Sequence, residues 1–195
     1  MPTAPNWNFG DVLDALDASY AASAPALIHD DAVTSWADFA RRSNNLAAQL
    51  RARGAVPDDK VGFYLRNRPE YVETLAACFK ARLVHVNVNY RYLDDELWYI
   101  FDNSDAKVVV FDGEFAERVA KLHARLPKVV AWVQVGGAPL DFAIPYESLA
   151  NGGSGRALGI ARDGKDLLFL YTGGTTGMPK GVMWAANDLW HALGA

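Results

Sequence analysis

The sequence predicts an α/β fold in which a mainly parallel sheet is flanked by helices. Strand and helix patterns alternate from about Val61 to Val135. This alternation is typical of a parallel sheet covered by helices on both faces. A later apolar run, Leu167–Tyr171, has the length and bulk of a buried strand. It leads into a turn of glycines and threonines, and ligands of such sheets bind where the strands end.

The N-terminal elements are predicted from apolar periodicity and from residues that begin or end helices. Ser35 has the character of a helix N-cap, with Asp38 three residues later as an acidic variant of the capping box. Gly54 lies where a glycine commonly ends a helix. The elements expected in this part are a helix over Asp11–Ala22, a strand over Ala26–His29, a helix over Trp36–Arg53 and a strand over Val61–Leu65.

The remaining elements follow the same patterns. Asn67 and Asn187 are predicted to be helix N-caps, the first for a helix that begins near Pro69. Further strands are expected over Val84–Val88, Lys107–Phe111 and Val129–Val135, and further helices over Glu96–Asn103, Phe115–Leu126 and Tyr146–Ala150. Gly136–Pro145 is expected to be irregular, and Asn151–Arg156 is the most linker-like stretch.

Composition excludes several classes of protein. The chain has 195 residues, a net charge of −4 and no basic block, so no nucleic-acid surface is expected. A single cysteine, Cys78, excludes an internal disulfide framework and suits a reducing compartment. The four histidines lie far apart, so no metal site is predicted. No signal peptide or transmembrane segment is recognised, and a cytoplasmic location is expected.

The strongest motif is the stretch Asp166–Trp184, which reads DLLFLYTGGTTGMPKGVMW. Its glycines allow the backbone to approach a ligand closely, so that successive N–H groups point into one concavity that fits a phosphate. The threonines add hydroxyl donors, and Lys180 adds a cation. The predicted phosphate-binding residues are Thr172, Gly173, Gly174, Thr175, Thr176, Gly177 and Lys180.

Two common phosphate-binding motifs do not fit this stretch. A Walker A loop has Ser or Thr after its lysine and then a helix, whereas Gly181 follows Lys180 here and the next residues have strand character. The glycine spacing of a Rossmann fingerprint is also absent. The alternatives that remain open are a Gly/Thr-rich hairpin without a ligand and a solvated loop lysine at Lys180.

The whole stretch resembles the phosphate loop of the adenylate-forming enzymes, which include acyl-CoA synthetases. Their usual pattern is [YF]-T-S-G-[ST]-[TS]-G-x-P-K-G-V, and this chain departs from it only in having Gly173 where serine is commoner. The resemblance continues upstream through Gly54, Asp59, Val61 and Asn67-Arg68-Pro69-Glu70. The NVNYRY string at 87–92 and Gly173 are most similar to bacterial, particularly actinobacterial, fatty-acyl or steroid-acid CoA ligases.

The tripeptide Tyr90-Arg91-Tyr92 within that string has two interpretations. Arg91 could contact an anion, or the tripeptide could be a helix-entry loop whose aromatic rings pack on the sheet. The second interpretation is favoured.

The resemblance implies ATP-dependent activation of a carboxylic acid, expected to be fatty or steroid-like, to acyl-AMP and then acyl-CoA. ATP with Mg²⁺ and coenzyme A are the implied cofactor and co-substrate, and Mg²⁺ is expected to arrive on the ATP phosphates. Residues 172–177 would hold the β- and γ-phosphates, and Lys180, the implied catalytic contact, would follow the departing pyrophosphate. The implied partners are small molecules; oligomeric state is not predicted.

The resemblance also implies that the fold is an incomplete N-terminal portion of such an enzyme's large domain. The expected parts are a subdomain over about 25–150, a linker over 151–165 and a phosphate-loop hairpin over 166–184. Family members continue for several hundred residues, which carry the acid pocket, the adenine and ribose contacts and a C-terminal lysine. The 195 residues alone are therefore expected to be catalytically inactive. The alternative is a non-catalytic fragment that binds a nucleotide or a partner.

Overall fold

The computed structural model describes residues 6–172 and 178–194. Nine strands lie in these residues: β1 Pro25–His29, β2 Ala32–Ser35, β3 Lys60–Tyr64, β4 Val84–Asn87, β5 Ala106–Asp112, β6 Ala131–Val135, β7 Ala143–Pro145, β8 Leu167–Thr172 and β9 Lys180–Ala185. Seven α-helices accompany them: α1 Phe9–Ser19, α2 Trp36–Ala52, α3 Pro69–Ala81, α4 Asp94–Asn103, α5 Ala116–His123, α6 Tyr146–Ala150 and α7 Ala186–Ala192.

The large sheet has seven strands in the order β7-β6-β5-β3-β4-β8-β9. Every neighbouring pair from β7 to β8 is parallel, and only β9 runs antiparallel, to β8. Strands β1 and β2 form a separate antiparallel pair. The predicted α/β class with a mainly parallel sheet is confirmed.

Helices cover both faces of the sheet, which is why its central strands are apolar on both sides. On one face α2, α3 and α6 pack through Leu46, Leu50, Ala77, Cys78 and Leu149. On the other face α4 and α5 pack through Leu97, Ile100, Phe101, Val119 and Leu122. Strand β3 alternates between them, since Phe63 belongs to the first core and Tyr64 to the second. The central strands are therefore held between two packed cores, one on each face of the sheet.

A buried cation fixes α1 to this framework. The Lys80 side chain on α3 is 1% exposed. Its ammonium donates to Asp17 at 2.6 Å, to Asn44 at 2.8 Å and to Ser43 at 3.1 Å. A buried charge is tolerated when it is paired and fully hydrogen-bonded, as here. Since Asp17 lies on α1 and Asn44 on α2, this one side chain joins three helices.

Two of the predicted helix caps are wrong. Arg68 is the N-cap of α3, and no side chain caps that helix. Ala185 is the N-cap of α7; Asn187 lies inside the helix and accepts the backbone N–H of Trp7 at 3.0 Å. Ser35 does cap α2, because its hydroxyl accepts from the N–H of Asp38 at 3.1 Å.

The stretch Gly136–Pro145 is not entirely irregular, because it contains the three-residue strand β7. The expected helix over Phe115–Leu126 is shorter, with a 3₁₀ turn at Gly113–Phe115 leading into α5. Helix α1 begins at Phe9 and ends at Ser19, three residues before the predicted end. Among the described residues, no helix is both long enough and apolar enough to cross a membrane.

Candidate functional site

The predicted phosphate motif lies on the β8–β9 hairpin. Thr172 and Lys180 are Cα partners at the open end of the antiparallel pair, on either side of the loop. Directly paired residues in an antiparallel sheet have their Cα atoms about 5 Å apart. Both residues are exposed. The hairpin therefore holds the hydroxyl-bearing and the ammonium-bearing residue together at the loop entrance.

The loop entrance also lies at the carboxyl edge of the parallel sheet. Strand β8 runs parallel to β4, with Val86 opposite Phe169 and Asn87 opposite Leu170. Thr172 therefore leaves the sheet at the edge where β3, β4 and β5 end, which is where ligands of this fold class bind. The predicted phosphate contacts Gly173, Gly174, Thr175, Thr176 and Gly177 lie outside the described residues.

Tyr171, the residue before the loop, is held at three points. Its backbone N–H donates to Asn87 Oδ1 at 2.8 Å, and its hydroxyl donates to Asn103 Oδ1 at 2.9 Å. Its ring lies over Gly181, where an added Cβ would be 3.1 Å from the ring carbon Cζ. The residue is 8% exposed, and burial raises the pKa of its hydroxyl, which therefore stays a neutral donor.

The base of the hairpin is fixed by charge. The Arg82 guanidinium donates to Asp166 Oδ1 from Nη2 at 2.8 Å and to both carboxylate oxygens from Nε at 3.1 Å. Asn8 Nδ2 donates to Asp166 Oδ2 at 2.8 Å. Trp7 stacks on Trp190 of α7, with ring centroids 4.7 Å apart. Trp7 and Asn8, which precede α1, therefore contact the residue at the start of the β8–β9 hairpin and the helix that follows the hairpin.

A separate open cavity of about 450 Å³ lies between the carboxyl ends of β3 and β5. This is the topological switch point, since the connections from these adjacent strands lead to opposite sides of the sheet. Arg68 Nη1 and Nε each lie 2.8 Å from a carboxylate, of Asp112 and Glu70 respectively. These carboxylates raise the pKa of Arg68. Arg66, the other arginine of the lining, pairs with Glu114.

The cavity lining carries two guanidinium groups and two carboxylates, and both arginines are already paired with carboxylates, so its charge does not favour a polyphosphate. The nearby loop at 90–92 behaves as its favoured interpretation predicts. Tyr90 and Tyr92 pack against the second core, and the guanidinium of Arg91 lies 5.5 Å from the ring centroid of Tyr90.

In the described part of the chain, no group of three or more His, Cys, Asp or Glu side chains is placed so that it could hold a metal ion.

Sequence reasoning missed the residues that support the loop. Asn87 opens the NVNYRY string and Tyr171 opens the phosphate motif, but neither was singled out as a support. Asn103 carried no signal beyond its place at the end of a predicted helix. The contacts of Tyr171 span 84 and 68 residues along the chain, so no local pattern reports them.

Comparisons with known proteins identify the family of the chain. Residues 16–195 match the family model described as AMP-binding enzyme. The 3-oxocholest-4-en-26-oate–CoA ligase of Rhodococcus rhodochrous is 42% identical over 174 residues, covering 87% of this chain and 31% of that protein. A medium/long-chain-fatty-acid–CoA/3-oxocholest-4-en-26-oate–CoA ligase of Mycobacterium tuberculosis strain H37Rv is 39% identical, covering 86% and 32%. The chain thus spans about a third of the length of these curated relatives.

Solved structures share the fold. The anthranilate CoA ligase AuaEII, in complex with anthranoyl-AMP, superposes with a TM-score of 0.88 at 21% identity, covering 95% of this chain and 36% of that one. The N-terminal domain of FACL13 from Mycobacterium tuberculosis gives 0.80 at 24% identity, covering 92% and 44%. The predicted resemblance to bacterial fatty-acyl and steroid-acid CoA ligases is confirmed. On the family match over residues 16–195, the chain belongs to the AMP-binding enzymes.

Proposed function

We propose that this chain supplies the polyphosphate-binding part of an acid–CoA ligase. The ligase would activate a fatty or steroid-like carboxylic acid with ATP and transfer the acyl group to coenzyme A. The observation that carries the proposal is the pairing of Thr172 with Lys180 across the loop entrance, at the carboxyl edge of the sheet. The identity of 42% to a steroid-acid CoA ligase supports the class of acid.

The proposed chemistry has two steps. A carboxylate oxygen of the acid attacks the α-phosphorus of ATP, the bond from that phosphorus to the bridging oxygen breaks, and pyrophosphate leaves. The thiol of coenzyme A then attacks the acyl carbonyl and AMP leaves. In the first step an anion attacks a polyanion, so catalysis depends on positioning and on neutralising charge.

This chain's residues serve the first step. The backbone N–H groups of the Gly/Thr loop and the Thr172 hydroxyl donate to the β- and γ-phosphates. Lys180 neutralises charge that accumulates on the departing pyrophosphate. We propose that Mg²⁺ arrives on the ATP phosphates, where it would neutralise part of their charge. Because Thr172 and Lys180 belong to one hairpin, their spacing is set before the nucleotide binds.

Product analysis of the native protein that carries this sequence tests the proposal. Incubation with MgATP, coenzyme A and a fatty or steroid carboxylic acid should give AMP, pyrophosphate and acyl-CoA. Lys180→Ala should lower the rate of acid-dependent AMP formation about tenfold or more, because one charge-assisted contact is lost. Lys165→Ala is the matched control, since Lys165 is also exposed and lies one residue before the hairpin base at Asp166.

Two results would contradict the proposal. ADP and phosphate as products would indicate a nucleotide hydrolase, and equal effects of the two lysine substitutions would remove the role assigned to Lys180. Nucleotide binding without acid-dependent products would favour a non-catalytic binding role.

A further inference from the structure

Tyr171 directly precedes Thr172, the first of the predicted phosphate contacts, and its own contacts distinguish it from its neighbours. It is 8% exposed, whereas Leu170 is 40% exposed and Thr172 lies at the surface. Two asparagines from separate elements converge on it. Asn87 at the end of β4 accepts its backbone N–H at 2.8 Å, and Asn103 at the end of α4 accepts its hydroxyl at 2.9 Å.

The Asn87 contact extends the short hydrogen-bonded pairing between β4 and β8. Within the described residues, strands β4 and β8 pair through two positions, Val86 with Phe169 and Asn87 with Leu170. Strand β4 ends at Asn87, while β8 continues through Tyr171 to Thr172. The side-chain amide of Asn87 therefore takes the place of the next backbone carbonyl. Without it, the backbone of Tyr171 would lose its lateral support on the β4 side, although it would keep its pairing with β9.

The ring of Tyr171 transmits this restraint to the second strand. Tyr171 and Gly181 are paired, and the ring covers the Gly181 Cα so closely that a Cβ there would lie 3.1 Å from Cζ and 3.3 Å from Cε2. Contacts at 3.1 Å are tighter than ordinary van der Waals packing. Thr172 follows Tyr171 and Lys180 precedes Gly181, so both described phosphate-loop residues are chain neighbours of this pair.

We infer that Asn87 and Asn103 are positioning residues for the phosphate loop, acting through Tyr171; this inference rests on the proposed function. They fix the backbone and the ring of Tyr171, and the Tyr171–Gly181 pair fixes the spacing of Thr172 and Lys180. Both asparagines supply an acceptor oxygen without a negative charge. An aspartate at the same place would repel a bound polyphosphate, since carboxylates are ionised at neutral pH.

Titration of the ¹⁵N-labelled 195-residue chain with magnesium tripolyphosphate tests the inference, with the dissociation constant taken from amide shifts. Asn87→Ala should weaken binding about fivefold, and Tyr171→Phe and Asn103→Leu about threefold each, because each loses one hydrogen bond of the support. Tyr171→Phe combined with Asn103→Leu should be no weaker than either alone, since both remove the same bond. Exchange of the Tyr171 amide proton should accelerate in Asn87→Ala.

Tyr146→Phe is the matched control for Tyr171→Phe. Its hydroxyl donates to Glu73 at 2.7 Å in the core on the other face of the sheet. This variant should lose stability and keep the wild-type dissociation constant. Should Asn87→Ala not fold, Tyr171→Phe, which keeps the ring and the backbone contact with Asn87, still tests the role of Asn103.

The outcomes separate this inference from the proposed function. If the folded wild-type chain shows no response to tripolyphosphate, the proposed function fails. If the wild type binds and folded Tyr171→Phe and Asn103→Leu bind equally well, the positioning inference is overturned. If Tyr146→Phe weakens binding as much as Tyr171→Phe, the effect is one of general stability, and the inference is likewise overturned.

Discussion

Thr172 and Lys180 lie directly opposite each other across the last pair of the β8–β9 hairpin, at the entrance to the Gly/Thr loop. The hairpin is the only antiparallel pairing in the large sheet among the described residues. The second strand therefore begins at the carboxyl edge of the sheet, with the cation of Lys180 as its first residue. This geometry explains why the lysine follows the glycines at a spacing that suits neither a Walker A loop nor a Rossmann turn.

Lys180→Ala should weaken binding of magnesium tripolyphosphate to the chain about tenfold at low ionic strength, because a charge-assisted contact is lost. The difference from the wild type should shrink as salt is raised, since Lys180 is exposed and its field is screened. Lys180→Arg should keep most of the affinity. Calorimetric titrations at two salt concentrations measure this. A dissociation constant that is unchanged in Lys180→Ala at low salt would contradict the assignment.

Gly181→Ala should destabilise the hairpin by about 1 kcal/mol, because the new methyl group forces the Tyr171 ring to move by a few tenths of an ångström. The displaced ring should also weaken tripolyphosphate binding. Gly159→Ala is the control. That glycine has a positive φ of 62° and no neighbour within 4 Å of an added Cβ, so its substitution strains the backbone away from the loop. Equal losses of affinity in the two variants would show that Tyr171–Gly181 packing has no special role.

Asp166→Asn should lower the free energy of unfolding by about 1–3 kcal/mol, because the Arg82 guanidinium loses its charged partner at a site that is mostly buried. The stack of Trp7 on Trp190 should loosen with it, because Asn8 also donates to Asp166. Urea unfolding followed by tryptophan fluorescence measures both effects. Glu117→Gln, which breaks a fully exposed ion pair with Lys121, should leave the midpoint unchanged. Equal midpoints for both variants would argue against the role of Asp166 in fixing the base of the hairpin.

Acid should destabilise the chain through His85. This side chain is buried, with Nε2 at 2.9 Å from the Tyr71 hydroxyl, and burial lowers its pKa from 6.5 to about 4. Below pH 6.5 the unfolded chain binds a proton that the folded chain does not bind until about pH 4. His85 therefore does not reduce the free energy of unfolding above pH 6.5. Below pH 6.5 that free energy falls with falling pH, by up to about 1.4 kcal/mol per pH unit.

Urea unfolding at pH 7, 6 and 5 checks this dependence. His85→Gln should be less stable at pH 7 and should lose most of the slope between pH 6.5 and 5. The same slope in the variant and in the wild type would assign the acid sensitivity to other groups.

The parts of the fold that depend on local patterns could be predicted from the sequence. Apolar runs located the central strands, and Ser35 and Gly54 correctly marked the beginning and end of α2, since capping depends on residues three or four positions apart. Asn187 shows where this reasoning fails. Its amide has the chemistry of an N-cap but is used by Trp7, 180 residues away. Strand β7 was missed because three residues among turn formers give no periodicity.

The candidate site divides in the same way. The motif predicts a phosphate loop with Thr172 and Lys180 among its contacts, and the structure shows that these two residues are paired across the loop entrance. The residues that support the hairpin could not be predicted from the sequence, because Asn87, Asn103 and Asp166 act through contacts made only when distant segments meet. An asparagine at a strand end and one that tethers a loop look alike in sequence.

The most direct test of the central claim is to map which backbone amides of the ¹⁵N-labelled 195-residue chain respond to MgATP, magnesium tripolyphosphate and AMP. Binding of the β- and γ-phosphates at the hairpin predicts saturable shifts at 172–181 with ATP and tripolyphosphate, and much weaker shifts with AMP. Shifts centred instead on Arg66 and Arg68 at the switch-point cavity, or no saturable shifts in the folded chain, would contradict the account.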